Sequence, residues 1–173
     1  DLIQVKLGEA DQENQIDIAI EAYYTDHWKS VALELLDRVT NYDIDPEMKA
    51  VFDEAVALHS SGHYRGVVPL LFCNLERLMR IESEVPVGGR VTSQHELIEL
   101  AGSMPLNVIG IDYLSVYKRL SSHLYCKVDS EELLRPFLNH DVPNRHASLH
   151  GLISYSSKKN SLNTILMAEY VLQ

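Results

Sequence analysis

The sequence predicts an all-α protein. Apolar residues recur at three- and four-residue steps through most of the chain, and no stretch of useful length alternates apolar and polar residues as a strand would. Signals typical of helix starts, such as Asp45-Pro46, separate these stretches. The 173 residues have 46% hydrophobic content, which is enough to form a core. We therefore expect one globular helical domain with a small appendage.

The front of the chain predicts the appendage. Residues 1–11 show no period and are expected to be a frayed end or a linker, whereas residues 12–42 have the apolar spacing of one or two helices. We place an N-terminal helical appendage at residues 1–44 and the main helical domain at residues 45–173.

The main domain is expected to begin with two helices. Asp45 as N-cap and Pro46 at the first helical position predict a helix that ends at the Ser60-Ser61-Gly62 break. A longer helix follows over residues 63–81, and we expect Pro69 either to delay its start or to kink it. Residues 85–91, with a proline and two glycines, predict a loop. Further helices are predicted at residues 94–101, 106–124, 130–138 and 158–173.

The formal net charge of −10 is unevenly distributed. Residues 1–114 contain 8 Lys and Arg against 20 Asp and Glu, while residues 115–173 contain 7 against 5 and four of the eight histidines. The acidic front argues against broad, non-specific nucleic-acid binding. The rear remains compatible with a local anion site.

The strongest candidate for a functional motif lies in this rear part, at Asn144-Arg145-His146-Ala147-Ser148-Leu149-His150-Gly151. Pro143 and Gly151 frame a short helix, for which we expect Asp141 to be the N-cap. A guanidinium is an always-charged fork that suits phosphate, and an imidazole transfers protons near neutral pH. Together they can hold a phosphate and move protons around it.

These residues resemble a known family. Arg145-His146-x-x-x-His150 is similar to the Arg-(Asn/Asp/His)-x-x-x-His signature of the HEPN superfamily, and Tyr155-Ser156-Ser157-Lys158-Lys159-Asn160-Ser161-Leu162 resembles the ending of HEPN domains in bacterial defence and toxin proteins. Upstream pieces also resemble that group: Phe52-Asp53-Glu54-Ala55, Tyr64-Arg65 and Leu75-Glu76. The resemblance covers roughly residues 45–173. It implies a HEPN-like helical bundle and metal-independent RNA cleavage, usually at a site shared between two chains.

The chemistry of RNA cleavage assigns roles to the candidate residues. Arg145 would hold the non-bridging phosphate oxygens, and His150 would act as general base or acid. His146 lies four residues before His150 on the same helical face and is the candidate second proton-transfer group. The resemblance makes Glu76 a candidate for orienting Arg145 or a histidine, because related domains often carry an acidic residue in this long helix. Asn144 either caps the motif helix or hydrogen-bonds substrate.

Alternatives to these catalytic roles remain open. Arg145 can form an ion pair with an acid while both histidines serve as packing or surface residues, and Glu76 can be a solvated partner of Arg80. His146 and His150 also have the spacing of helical zinc ligands, with His140 and Asp141 as further ligands, although the glutamate of His-Glu-x-x-His is missing. We favour a site that needs no metal and no cofactor.

The expected partners follow from the motif and the composition. On an ideal helix, positions five apart point about 140° away from each other, so a homodimer with a composite active site is expected to complete the arrangement of Arg145 and His150. RNA is the expected substrate, and an antitoxin or other domains of a longer chain are further candidate partners. The chain starts on Asp1 without methionine and stops within a helical pattern at Gln173, so we expect an excerpt.

Cysteine content and hydropathy predict the cellular compartment of the protein. Cys73 and Cys126 lie beside apolar residues, which predicts buried free thiols in a reducing compartment. No stretch is apolar enough to span a membrane and no signal peptide is visible. We expect a cytoplasmic endoribonuclease, the effector of a bacterial defence or toxin-antitoxin system. The alternative is a catalytically idle HEPN-like module for RNA binding or dimerisation.

Overall fold

A computed structural model of the chain describes residues 12–82 and 122–172. Every regular element in these two ranges is helical, which confirms the predicted all-α class. The predicted loop at residues 85–91, the helix at residues 94–101 and most of the helix at residues 106–124 lie outside the described residues. The chain divides into two units, with the division after Asn41.

The first unit contributes a single helix, α1 (Gln12–Asn41), where the sequence allowed one or two. A 30-residue helix is long for a globular protein. Five large apolar side chains of α1 are exposed: Ile16, Ile18, Ile20, Tyr23 and Leu33.

In the second unit, α2 (Pro46–Ser60) begins and ends as its sequence predicts. The Asp45 carboxylate accepts a hydrogen bond from the backbone N–H of Glu47, and Pro46 occupies the first turn, where its missing N–H leaves no gap. At the other end Gly62 adopts φ +78°. The N–H groups of Gly62 and His63 donate to the carbonyls of His59 and Leu58, so the helix closes in a Schellman motif.

The third helix, α3 (Tyr64–Glu82), starts only two residues after this motif. The helix closely follows the predicted residues 63–81 and contains Pro69, so of the two expectations for this proline the late start is wrong. Because proline has no N–H, α3 loses the hydrogen bond that residue 69 would donate to the carbonyl of Arg65. Since the proline lies in the second turn, most of the hydrogen-bond ladder of α3 follows it.

The rear of the chain forms three short or medium helices. Ser130 caps α4 (Glu131–Leu134), and a 3-10 turn at Arg135–Phe137 follows it. The predicted helix at residues 130–138 is thus split, since Pro136 cannot donate the next helical hydrogen bond. The motif helix is α5 (Arg145–Leu149), and the chain continues into α6 (Lys158–Leu172).

Helix α3 is central to the second unit, because it packs against α2, α5 and α6. The α5 helix is anchored at Ala147, whose side chain is fully buried in an apolar cluster contributed by several elements. The other buried members of that cluster are Val68, Phe72, Leu124, Val128, Phe137, Tyr155 and Met167. The motif therefore lies on the packed body of the unit.

Two expectations about composition have different outcomes. Both cysteines are free, but Cys73 is exposed and only Cys126 is partly buried, so the expectation of two buried thiols is wrong for Cys73. Its position on α3 turns it away from the apolar face formed by Val68, Phe72 and Leu75. None of the described helices is long and apolar enough to cross a bilayer.

Candidate active site

The N-terminus of α5 is capped by Asn144 and not by Asp141. The Asn144 carbonyl oxygen Oδ1 accepts a hydrogen bond of 2.8 Å from the backbone N–H of Ala147, the third helical position. Asp141 lies too far upstream to cap α5, and its carboxylate instead forms an ion pair of 2.9 Å with Lys159. The expectation of an Asp141 cap is therefore wrong.

Asn144 is fully buried, and every polar group of its side chain has a partner. Its amide nitrogen donates to the backbone carbonyls of His123 and Cys126 at 2.8 and 3.0 Å. Its own backbone N–H donates to the hydroxyl of Tyr155 at 3.0 Å. Of the two roles that the sequence left open for Asn144, the geometry is that of a cap, and no exposed surface remains to contact a substrate.

Tyr155 is likewise buried, 5% exposed. Burial raises the pKa of its phenol, and the hydrogen bond from Asn144 opposes that shift. The tyrosine thus anchors the loop after α5. A base cannot stack on a ring that is buried in this way.

The C-terminus of α5 repeats the ending of α2. His150 is the C-cap, and Gly151 adopts φ +68°, a conformation that glycine tolerates better than any other residue. The N–H groups of Gly151 and Leu152 donate to the carbonyls of Ser148 and Ala147, which again makes a Schellman motif. Since both ends are closed by specific bonds, the five-residue helix is held at a fixed position.

Arg145 forms an ion pair with Glu76 of α3, in which its terminal nitrogen Nη2 donates to the carboxylate. The two side chains are 24% and 17% exposed. This direct contact supports the role proposed for Glu76, which is to orient Arg145. The same ion pair also belongs to the alternative in which Arg145 is purely structural. The side chain of Arg80, the other expected partner of Glu76, lies outside the described residues.

Part of the Arg145 guanidinium is still uncommitted. Its Nε is buried and has no hydrogen-bond partner among the described residues. A guanidinium carries five N–H donors in a planar fork, so one ion pair does not use up its capacity. Arg145 is therefore fixed at one edge and can still donate elsewhere.

His146 and His150 lie side by side, as their four-residue spacing predicts. Their ring centroids are 4.3 Å apart, with 39° between the ring planes. Burial lowers the pKa of His146, and the nearby positive charges of His150, Arg145 and Lys127 lower it further, while Asp129 opposes them. Burial and these positive charges therefore favour the neutral form of the His146 imidazole. Its Nδ1 is buried without a partner among the described residues.

Lys127 and Asp129 were missed by the sequence reasoning. They form an exposed ion pair of 3.1 Å with each other, and both act electrostatically on His146. Only the fold brings them there, because they precede the motif by more than fifteen residues and belong to no spacing pattern. They add one charge of each sign at the edge of the histidine pair.

The ligands suggested for a metal do not converge. The described residues contain no group of three or more His, Cys, Asp or Glu side chains that could hold a metal ion. His140 instead packs on His123 with ring centroids 4.4 Å apart, and its Nδ1 accepts the N–H of Val142. Asp141 is engaged with Lys159. Of the four suggested ligands only His146 and His150 lie side by side, and two ligands are too few for a zinc site.

Comparison with known proteins adds no identification. No family model, curated protein or solved structure matches the chain.

Proposed function

We propose that the protein is a metal-independent endoribonuclease of HEPN type. The observation that carries this proposal is the clustering on α5 of an oriented, partly exposed Arg145 with the paired rings of His146 and His150. These are the groups that cleavage by the substrate's own 2′-hydroxyl needs. One must stabilise the charge that develops on the phosphoryl oxygens, and two must transfer protons.

Arg145 is assigned the phosphate. Glu76 holds one edge of the guanidinium, which limits the rotamers of a long side chain before substrate arrives. The remaining N–H groups donate to the non-bridging oxygens, and these bonds strengthen as negative charge accumulates in the transition state. Glu76 is therefore a positioning residue that does not contact RNA.

The histidines are assigned the proton transfers. The 2′-oxygen attacks phosphorus and gives its proton to a neutral imidazole, while the bond from phosphorus to the 5′-oxygen breaks and that oxygen takes a proton from an imidazolium. The products are a 2′,3′-cyclic phosphate and a 5′-hydroxyl. The lowered pKa of His146 suits the role of base. His150, which is exposed at the end of α5, is the other group.

A second chain is proposed to complete the site. Arg145 is directed to α3 by its ion pair, and positions five apart, as 145 and 150 are, point about 140° away from each other on an ideal helix. A two-fold axis beside α5 would bring two such helices together, so that the arginine of one chain and the histidines of the other face one phosphate. The proposed setting is a cytoplasmic defence or toxin-antitoxin system, with an antitoxin or further domains as partners.

The test is cleavage of a single-stranded RNA containing all dinucleotide steps, with excess EDTA. We expect cleavage with 2′,3′-cyclic phosphate ends, identified by mass spectrometry, and no cleavage of the matching DNA, which lacks the attacking hydroxyl. An Arg145→Ala protein purified in parallel controls for contaminating nucleases. Cleavage of DNA, or activity that chelation abolishes and a divalent ion restores, would contradict the proposal.

The alternative function is an idle HEPN-like module for RNA binding or dimerisation. The ion pair of Arg145 with Glu76 favours it, because a guanidinium neutralised by a carboxylate is also a common structural arrangement. The same assay separates the two proposals. RNA that is bound but left intact by wild-type protein supports the idle module.

A further inference from the structure

A cleft of about 230 Å³ lies beside the motif, between α3 and the loop that follows α5. It is lined on one side by Arg65, Val68 and Pro69 of α3. The other side consists of Ser148, Gly151, Ile153, Ser154 and Tyr155. None of the residues assigned to the proposed active site lines it. The volume is below the usual range for drug-sized ligands and suits a fragment the size of a phosphate with part of a sugar.

The cleft lies beside the same two helices, α3 and α5, that position Arg145. Arg145 and Ser148 are three residues apart on α5 and lie on neighbouring positions of one face, about 4.5 Å apart along the axis. Arg145 contacts α3 at Glu76, whereas Ser148 lies with Arg65 and Pro69, nearer the start of α3. The cleft therefore begins about one helical turn along α5 from the backbone position of Arg145.

The polar groups of the cleft are available to a ligand. Arg65 is exposed and has neither an ion pair nor a hydrogen bond within residues 12–82 and 122–172. The hydroxyl groups of Ser148 and Ser154 also have no partner in these ranges. One guanidinium and two hydroxyls are the donors that nucleic-acid-binding proteins direct to phosphate oxygens. Val68, Pro69 and Ile153 contribute apolar side chains to the lining of the cleft.

We propose that this cleft binds the backbone phosphate of the nucleotide next to the scissile one, with Arg65 as its principal contact. The proposal rests on the function proposed for the neighbouring site, because it takes RNA as the ligand. Arg65 then contributes affinity and register, and takes no part in proton transfer. An acidic chain gains a second point of attachment for RNA close to the chemistry, which explains how a net charge of −10 is compatible with RNA binding.

Binding is measured with a 2′-O-methyl oligonucleotide, which keeps the phosphates but has no attacking hydroxyl. Affinity is followed by fluorescence anisotropy over a range of salt concentrations. We expect Arg65→Gln to weaken binding about tenfold and to reduce the slope of log K against log salt by about 0.7, the value for one phosphate of a single strand. The matched control is Arg135→Gln, which removes the same charge from an exposed arginine outside the cleft and should leave the slope unchanged.

A second set of oligonucleotides locates the contact. Each carries one neutral methylphosphonate linkage at a different position. At one position the neutral linkage should weaken binding to wild-type protein but have no further effect on Arg65→Gln, since the interaction is already lost. Equal slopes for Arg65→Gln and Arg135→Gln, or additive effects at every linkage, would overturn the subsite. Because no cleavage is measured, this result is independent of whether the wild-type protein cuts RNA.

Discussion

At the scale of single residues, the motif separates into side chains that hold the fold and side chains that face outward. Asn144 and Tyr155 are buried and bonded to each other, while Arg145, His146 and His150 keep some exposed surface. Substitutions of the two groups should therefore fail in different ways. Measuring stability and activity of both groups of variants therefore tests whether the motif is a catalytic site or only a structural element.

Arg145→Ala and His150→Ala are expected to lose RNA cleavage while keeping the fold. Losing the group that stabilises the transition-state charge typically costs about 10²–10³-fold, and losing a general acid or base about 10²–10⁴-fold. The thermal midpoint of His150→Ala should remain near that of wild type, because His150 is exposed. Arg145→Ala should lower the midpoint more but stay folded, because it leaves the carboxylate of Glu76, 17% exposed, without this ion pair. Cleavage rates and thermal denaturation are measured on the same preparations. Unfolding of either variant would favour the structural alternative, and near-native activity would remove the role assigned to that residue.

Asn144→Ala is the structural counterpart of these variants. The change removes the N-cap of α5, worth about 1 kcal/mol, and leaves the carbonyls of His123 and Cys126 without their buried donor. We expect the free energy of unfolding in urea to fall by roughly 2–4 kcal/mol, with activity lost only as the protein unfolds. A variant that is as stable as wild type but inactive would show that Asn144 takes part in the chemistry.

At the scale of elements, two helices of the second unit end in the same way. Both α2 and α5 close on a Schellman motif with glycine at positive φ, and a Cβ added to Gly62 or Gly151 would meet no atom within 4 Å. The cost of substitution is therefore backbone strain without a steric clash. This makes the two glycines a matched pair.

Gly151→Ala and Gly62→Ala should each lower the free energy of unfolding by about 1–2 kcal/mol, the cost of a left-handed conformation for an L-residue. Asparagine tolerates this conformation, so Gly151→Asn should lose less than Gly151→Ala. Only the change at Gly151 should also lower RNA cleavage, because it disturbs the end of α5 that carries His150. Urea denaturation and cleavage assays on the pair test this, and equal losses of activity at both glycines would contradict it.

The sequence predicts these elements well where the signal is local. Asp45, Pro46 and Gly62 act on their immediate neighbours, and the boundaries of α2 follow from them. Local signals also mislead, as at Pro69, where the packing of α3 against three helices outweighs one lost hydrogen bond. The spacing of His146 and His150 predicts their contact correctly.

What the sequence could not determine depends on distant residues. The pairing of Arg145 with Glu76, the proximity of Lys127 to His146 and the cleft at Arg65 all join separate segments of the chain. The candidate role of Glu76 came from resemblance and not from spacing. The donation from the Asn144 amide to the carbonyls of His123 and Cys126 also joins separate segments, and no local pattern predicts it.

At the scale of the whole molecule, a buried histidine couples stability to pH. His59 is 3% exposed, and its Nδ1 lies 2.7 Å from the hydroxyl of Ser161 on α6. Burial lowers its pKa from 6.5 to about 4, and the charge of Lys158 contributes to the shift. The folded protein therefore holds His59 in its neutral form.

Acidification should destabilise the protein through this residue. Above pH 6.5 His59 is neutral in both states and the pH has no effect through it, whereas between pH 6.5 and 4 the unfolded chain binds a proton that the folded protein does not. The loss grows to roughly 3 kcal/mol near pH 4. Urea denaturation at pH 7 and pH 4.5 should show a smaller difference for His59→Gln than for wild type. An identical difference in the two proteins would assign the acid sensitivity to other groups.

The assembly is the largest-scale prediction, and it decides how the site works. The ion pair holds Arg145 against α3, and positions 145 and 150 point about 140° apart on an ideal helix, so a single copy of α5 is poorly arranged to hold one phosphate between Arg145 and His150. We expect a homodimer in which two copies of α5 meet at the two-fold axis, gathering positive charge on a chain of net charge −10. Specific activity should then fall when the protein is diluted through the dissociation constant of the dimer, while a covalently linked dimer keeps its activity. A protein that light scattering shows to be monomeric, and that cleaves RNA with constant specific activity across the dilution series, would place the complete site within one chain.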